Sequence, residues 1–364
     1  MSSDKITFLT NWHAVPYHLP VFRAQSQGYF ADEGIKVAIL EPNDPSDVTE
    51  IIGTGKADLG LKAMIHTLAA KGMRKYPVTS IGTLMDEPAT GIIYLDGKSG
   101  ITSDFQSLRG KKIGYVGEFG KIQIDELTGH FGMKPGDYTA VRVGMNATDA
   151  IIDGRVDAAI GLENVQMVEL EAWCEANHRP KTDVKMLRID ELAELGCCCF
   201  CSILYIGNDD YIRANREKVE AFMRAVKRAA DDLFANPIGA WSDLTKYKKS
   251  LDTPTYARIF ERSFAYMSRD CANVPRDWTK VTNYCKRLGI IESDFEPNMT
   301  NEYLGSWAME SQDTVDPDAK QREIAEYQVR DAHRLLSGCI AGIPCFGAAG
   351  TKAFVSKSAV ELSA

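Results

Sequence analysis

Short apolar runs alternate with amphipathic stretches through the first two hundred residues. Residues 6–10 form a strand-like run, and 17–27 read as a helix that ends at Gly28. Residues 36–41 are a second strand candidate, with the apolar Val37 and Ile39 at alternate positions on one face. Pro45 and Ser46 are start signals for a helix over 47–53. A short apolar strand at 57–61, a helix at 64–71 and strands at 78–84 and 91–95 follow. This βαβα succession predicts an α/β sheet with helices on its faces.

A second series begins near residue 100. Strands are expected at 112–116, 139–143, 158–162 and 184–189, and helices at 122–130, 147–153 and 165–174. Residues 200–206 read as a strand that returns the chain to the first lobe. From 209 to 286 the pattern is mostly helical, and 318–335 is a charged helix before a Gly-, Ala- and Ser-rich tail expected to be mobile. The layout is therefore lobe, inserted lobe, return: 1–95 and 204–310 in the first lobe, 96–203 in the second, and 311–364 as a C-terminal appendage. Two crossovers, near 93–100 and 200–206, would leave a cleft between the lobes, the usual seat of a small molecule.

Composition narrows the partners. Lys+Arg of 42 against Asp+Glu of 50 gives a net charge of −8, with no basic block, which argues against nucleic acid or an anionic membrane. No apolar run approaches the ~18 residues of a membrane span. The N-terminal stretch lacks the charged and apolar regions of a signal peptide. The nine cysteines are odd in number and crowded, with four of them inside 197–201, unlike a disulfide framework. A reducing compartment, the cytoplasm, is the expectation.

Four places carry candidate chemistry. Lys62 and His66 are four apart and would share a helix face at a strand-to-helix junction, where α/β sheets present their ligands. Lys62 has apolar neighbours, and poor hydration lowers an amine's pKa toward the neutral form that attacks an aldehyde. A surface lysine beside a partly buried histidine would show the same spacing. Gly117-Glu118-Phe119-Gly120 ends a strand before a helix, where backbone N–H groups bind phosphate; an ordinary glycine turn fits equally. Cys197, Cys198, Cys199 and Cys201 are soft ligands for iron, zinc or copper. In an extended segment, alternate residues lie roughly 6.6 Å apart, too far to share one metal, so one or two sulfurs with another residue such as His66 is the better reading. Buried apolar thiols are the alternative. Asn11 and Trp12 end the first strand, where a ring could stack on a flat ligand and an amide could fix its polar edge; Trp in the core beside a capping Asn is the bland reading. Glu163-Asn164 holds a corresponding place in the second lobe.

Taken together, the segments NWHAVPYHLPVF, EPNDPSDVTEIIGTGKADLGLKAMIHTLAAK, KKIGYVGEFGKIQIDELT, GLENVQMVELE and LGCCCFC resemble the fungal 4-amino-5-hydroxymethyl-2-methylpyrimidine phosphate synthases of thiamine biosynthesis, from about Lys5 to Tyr303. The resemblance implies a two-lobed fold of the type II periplasmic-binding-protein kind and a homodimer. It implies a transferase consumed by its own reaction, in which pyridoxal 5′-phosphate and a histidine of the protein become the pyrimidine with iron and oxygen. By motif, Lys62 would hold pyridoxal phosphate as a Schiff base, His66 would be the histidine consumed, Gly117 to Gly120 would hold the phosphate, and 197–201 would be the segment suspected of binding iron. A solute-binding protein of a transporter, for a small anionic or pyrimidine-like ligand, is the competing reading on fold alone.

Overall fold

The computed structural model describes residues 5–86, 90–188 and 201–308. Cys197, Cys198 and Cys199, the segment from 309 onward, and the side chains of Glu118 and Phe119 lie outside the described residues. Two five-stranded sheets carry the architecture. The first contains β1 (Lys5–Leu9), β2 (Lys36–Leu40), β3 (Leu59–Ala63), β4 (Val78–Met85) and, far along the chain, β10 (Ile203–Asn208), in the order β2-β1-β3-β10-β4. The second contains β5 (Thr90–Leu95), β6 (Lys112–Tyr115), β7 (Thr139–Arg142), β8 (Ala158–Leu162) and β9 (Val184–Arg188), in the order β7-β6-β8-β5-β9. Each sheet has a parallel core with antiparallel insertions, β10 in the first and β5 in the second. The expected two-lobed α/β fold is the one observed.

The first crossover differs from expectation. Thr90–Leu95 pairs with β8 and β9, so it belongs to the second lobe, and the chain crosses between Met85 and Thr90 rather than at 93–100. The reason is burial. All six residues of β5 are buried, and a strand covered on both faces is a continuous apolar run with no marker of which sheet it joins. The return strand Ile203–Asn208 is likewise buried throughout and sits between β3 and β4.

The first sheet is covered on one side by the helix Arg216–Ala235, where Phe222 stacks on Phe8 and Phe30 at 5.1 and 5.3 Å between ring centroids. On the other side Ile65 and Leu68 of the helix Met64–Gly72 share a core with Trp278 and Val281 of Pro275–Arg287. The lobes are also bound to each other. Val165 and Val168 of the second lobe bury among first-lobe side chains. Arg262, on the returning helix Pro254–Phe264, pairs with Glu163 at 3.0 Å and Glu171 at 2.6 Å, and Asn164 donates to Ser263 Oγ at 2.8 Å. Glu163 and Asn164, at the strand end that corresponds to Asn11 and Trp12 in the first lobe, thus serve as a latch between lobes.

Candidate active site

The cleft between the two sheets encloses about 140 Å³, and Lys62, His66, Gly117, Gly120, Asn11, Trp12 and Cys201 all line it. A cavity near that size holds one aromatic ring. Lys62 stands near the end of β3, opposite Leu204 of β10. That pairing keeps the chain extended through Ala63, so Lys62 is a strand residue and not part of a shared helix face. The helix Met64–Gly72 starts two residues later, from an extended Ala63, and His66 falls in its first turn. Strand end and helix start still turn both side chains into one cleft.

Lys62 is 4% exposed, and its Nζ donates to the Pro45 carbonyl. Burial pulls its pKa from 10.5 down to about 8, partly offset by the Asp44 and Asp47 carboxylates. At pH 7 about one chain in ten then carries a free amine, against about one in three thousand for an ordinary lysine. His66 is held neutral by burial, reinforced by the positive charges of Lys62 and Arg74. Its ring keeps a partly open edge toward the cleft.

Gly117 meets these groups from the second lobe. A Cβ on it would lie 3.0 Å from Ser46 Oγ and 3.9 Å from His66 Cε1. Its backbone is extended, with φ −135° and ψ 178°, so the glycine is required by close approach and not by a left-handed conformation. The helix beyond it spans Glu118–His130, beginning four residues earlier than the sequence pattern suggested. Burial of Ile124 and Leu127 in the core outweighs the poor helix propensity of Gly120. The first turn, tightened by a bond from Gly120 N–H to Gly117 O at 2.9 Å, starts on the cleft wall. N–H groups in a first turn lack intrahelical acceptors, which makes this wall receptive to an anion.

Asn11 lines the cleft as expected and also has partners within the protein. Its Nδ2 donates to Tyr17 Oη at 3.0 Å, and its Oδ1 lies 2.9 Å from His18 Nε2. These two bonds hold the amide in place and orient Tyr17, and leave its second N–H and second lone pair for the cleft side. Trp12 remains half-buried on the cleft wall, its carbonyl accepting from Thr10 Oγ1 at 2.7 Å. Sequence reading missed Tyr17, Ser46, Thr90, Gln123 and Gln166, which also line the cleft. For Gln123 a signal existed: it is a polar residue four positions before Leu127, on a helix face the structure buries. Tyr17 gave none, because it sat inside an apparent helix. The chain there forms a short 3₁₀ turn, Pro16–His18, before the helix Leu19–Ser26.

Cys201 is half-buried, and Gln123 Nε2 lies 3.9 Å from its sulfur. Burial holds its thiol protonated, opposed by hydrogen bonds from Thr90 and Gln123. Among the described residues no three His, Cys, Asp or Glu side chains form a metal-binding group. Among the described residues lining the cleft none is a carboxylate, and Lys62 is the one cation that lines it. The remaining polar groups are amides and hydroxyls.

Residues 15–240 match the family described as NMT1/THI5 like. A 4-amino-5-hydroxymethyl-2-methylpyrimidine phosphate synthase of Aspergillus parasiticus is 66% identical over 328 residues, covering 90% of this chain and 95% of that one. One of the same name from Uromyces fabae is 64% identical over 332 residues, covering 91% and 97%. Among solved structures, the alkanesulfonate-binding protein SsuA of Xanthomonas axonopodis pv. citri, bound to MOPS, aligns with a TM-score of 0.61 at 15% identity over 80% of this chain and 96% of its own. A Candida albicans gene product with the generic periplasmic binding protein fold aligns at 0.60 and 14% identity over 84% and 98%.

Proposed function

The chain belongs to the NMT1/THI5-like family and acts as a synthase of 4-amino-5-hydroxymethyl-2-methylpyrimidine phosphate for thiamine, and from that premise we propose that the pyrimidine is drawn from pyridoxal 5′-phosphate and the ring of the protein's own His66. The observation that supports this most is the cleft itself: a buried lysine with lowered proton affinity, a neutral imidazole in the first turn of the helix that follows its strand, and a second helix start on the same cleft. Lys62, as a free amine, attacks the aldehyde of pyridoxal phosphate. The first turn after Gly117 receives the phosphate, in the manner of helix N-termini generally, with Phe119 and Glu118 contributing backbone N–H groups and Gly120 a close wall. His66 is held neutral beside this point, and its imidazole contains the N–C–N unit that a pyrimidine needs. Fixing both reactants within one cleft replaces a second binding step. Trp12 flanks the ring on the first-lobe side.

Iron and oxygen supply the oxidising power in this reading. His66 and Cys201 are the described candidates on the cleft wall, and they fall short of a three-ligand set; the iron requirement therefore rests on the cysteine run 197–201. The reaction is assigned to a cytoplasmic homodimer on the strength of the family resemblance and the crowded thiols. A solute-binding protein shares the fold but has no use for a lysine depleted of its proton.

A donated ring is not regenerated, so each chain makes at most one product. The test is peptide mass spectrometry before and after incubation with pyridoxal phosphate, iron and oxygen. The His66 peptide should lose mass in step with product, and His66→Asn should bind pyridoxal phosphate yet form none. Several products per chain with an intact His66 peptide would refute the reading.

A further inference from the structure

We propose that Tyr17 is a fixed hydrogen-bond donor to the aromatic ring of the ligand in this cleft, and that His18 and Asn11 are the positioning residues that make it so. A chain of hydrogen bonds runs outward from the buried His18. The backbone N–H of Val15 donates to His18 Nδ1 at 3.3 Å, which makes Nδ1 an acceptor and leaves the proton of the neutral ring on Nε2. Nε2–H therefore donates to Asn11 Oδ1 at 2.9 Å, and this fixes which end of the amide is oxygen. Asn11 Nδ2 then faces Tyr17 and donates to its Oη at 3.0 Å. With one lone pair of that oxygen occupied by a donor, the phenolic proton must point elsewhere. Among the described residues Tyr17 has no acceptor for it, while the side chain lines the cleft.

The relay is durable across pH. His18 is fully buried, and burial pushes its pKa down to about 3, helped by the charges of His13 and Lys248, so the neutral tautomer persists through ordinary conditions. Burial also raises the Tyr17 hydroxyl above its usual value, so it donates a hydrogen bond without surrendering the proton. The matching acceptor is a lone pair on the edge of a flat ring. On pyridoxal phosphate, the ligand of the reading above on which this inference rests, that is the ring nitrogen or the phenolic oxygen.

The test is an equilibrium titration, followed by absorbance, of wild type, Tyr17→Phe and Asn11→Asp against three aldehydes: pyridoxal phosphate, its analogue with carbon in place of the ring nitrogen, and its 3-deoxy analogue. Tyr17→Phe should bind pyridoxal phosphate about five- to tenfold more weakly, the effect of one neutral hydrogen bond. Asn11→Asp should show the same loss with Tyr17 still present, because a carboxylate takes the phenolic proton instead of fixing it outward. One of the two analogues should bind wild type and both variants alike, since it lacks the atom Tyr17 serves. Equal loss on all three aldehydes, or no loss with Tyr17→Phe, overturns the proposal. A separate arm uses ¹⁵N-histidine NMR of the ligand-free protein. A proton on His18 Nδ1 overturns the relay whatever the ligand, and a proton on Nε2 supports it. If wild type binds no pyridoxal phosphate, the substrate assignment fails, while the tautomer measurement still decides the relay.

Discussion

Replacing Lys62 by methionine should make the ligand-free protein more stable at pH 7. The fall in pKa from 10.5 to about 8 measures how much folding disfavours the charged amine. At 1.36 kcal/mol per pH unit this is about 3 kcal/mol. Methionine fills nearly the same space without a charge. It forfeits the hydrogen bond to the Pro45 carbonyl, about 1 kcal/mol, and leaves a net gain of about 2 kcal/mol. The pH dependence follows from linkage. Below pH 8 the lysine is charged both folded and unfolded, and the penalty is fully present. Between about 8 and 10.5 the folded chain has released a proton that the unfolded chain still holds, so wild-type stability rises with pH and the variant's advantage fades. Urea unfolding of both proteins at pH 7 and pH 9.5 reads this directly. The advantage should shrink by about 2 kcal/mol between them. A variant that is less stable at both, by the same amount, would refute the assignment of a desolvated amine.

Gly117→Ala should weaken pyridoxal phosphate binding about tenfold, through crowding against Ser46 and His66, and Ser46→Gly should recover part of it; unchanged affinity in a titration would show the approach is not tight. Arg262→Met should cost about 2–3 kcal/mol in urea unfolding, because Glu163 and Glu171 lose their shared partner between the lobes, and an unaltered midpoint would remove the latch. Chelation of metal should abolish product while leaving borohydride-trapped pyridoxal phosphate on the Lys62 peptide, and full product from a chelated preparation would end the iron requirement.

The site was legible in the sequence where chemistry sits at strand ends. Asn11 and Trp12 follow β1, Lys62 is the next-to-last residue of β3, and Gly117 follows β6, and all reach the cleft because parallel strands in α/β sheets aim there. What was not legible depends on partners distant in sequence. Lys62 belongs to a strand because Leu204 pairs with it, and β5 joins the second sheet because Gly91 faces both Gly161 and Arg188. The internal partners of Asn11 were not legible for the same reason. An amide looks alike whether it meets a ligand or a buried histidine, and only the fold brings His18 to it. The Glu163 and Asn164 pair resembled a second ligand-binding strand end until Arg262 and Ser263 arrived from a helix nearly a hundred residues further on.

The central position of β10 has a consequence for the order of events during synthesis. Lys62 leaves the ribosome roughly 140 residues before Leu204, the residue that flanks it in the sheet. Until then β3 has an open edge, and the amine is solvated and protonated like that of any lysine. Its low proton affinity comes from burial, and that burial is incomplete until the returning strand is in place beside it. The lowered proton affinity of Lys62 is therefore a property of the completed sheet and not of the growing chain, and it waits on the same long-range pairing that slows the folding of such sheets.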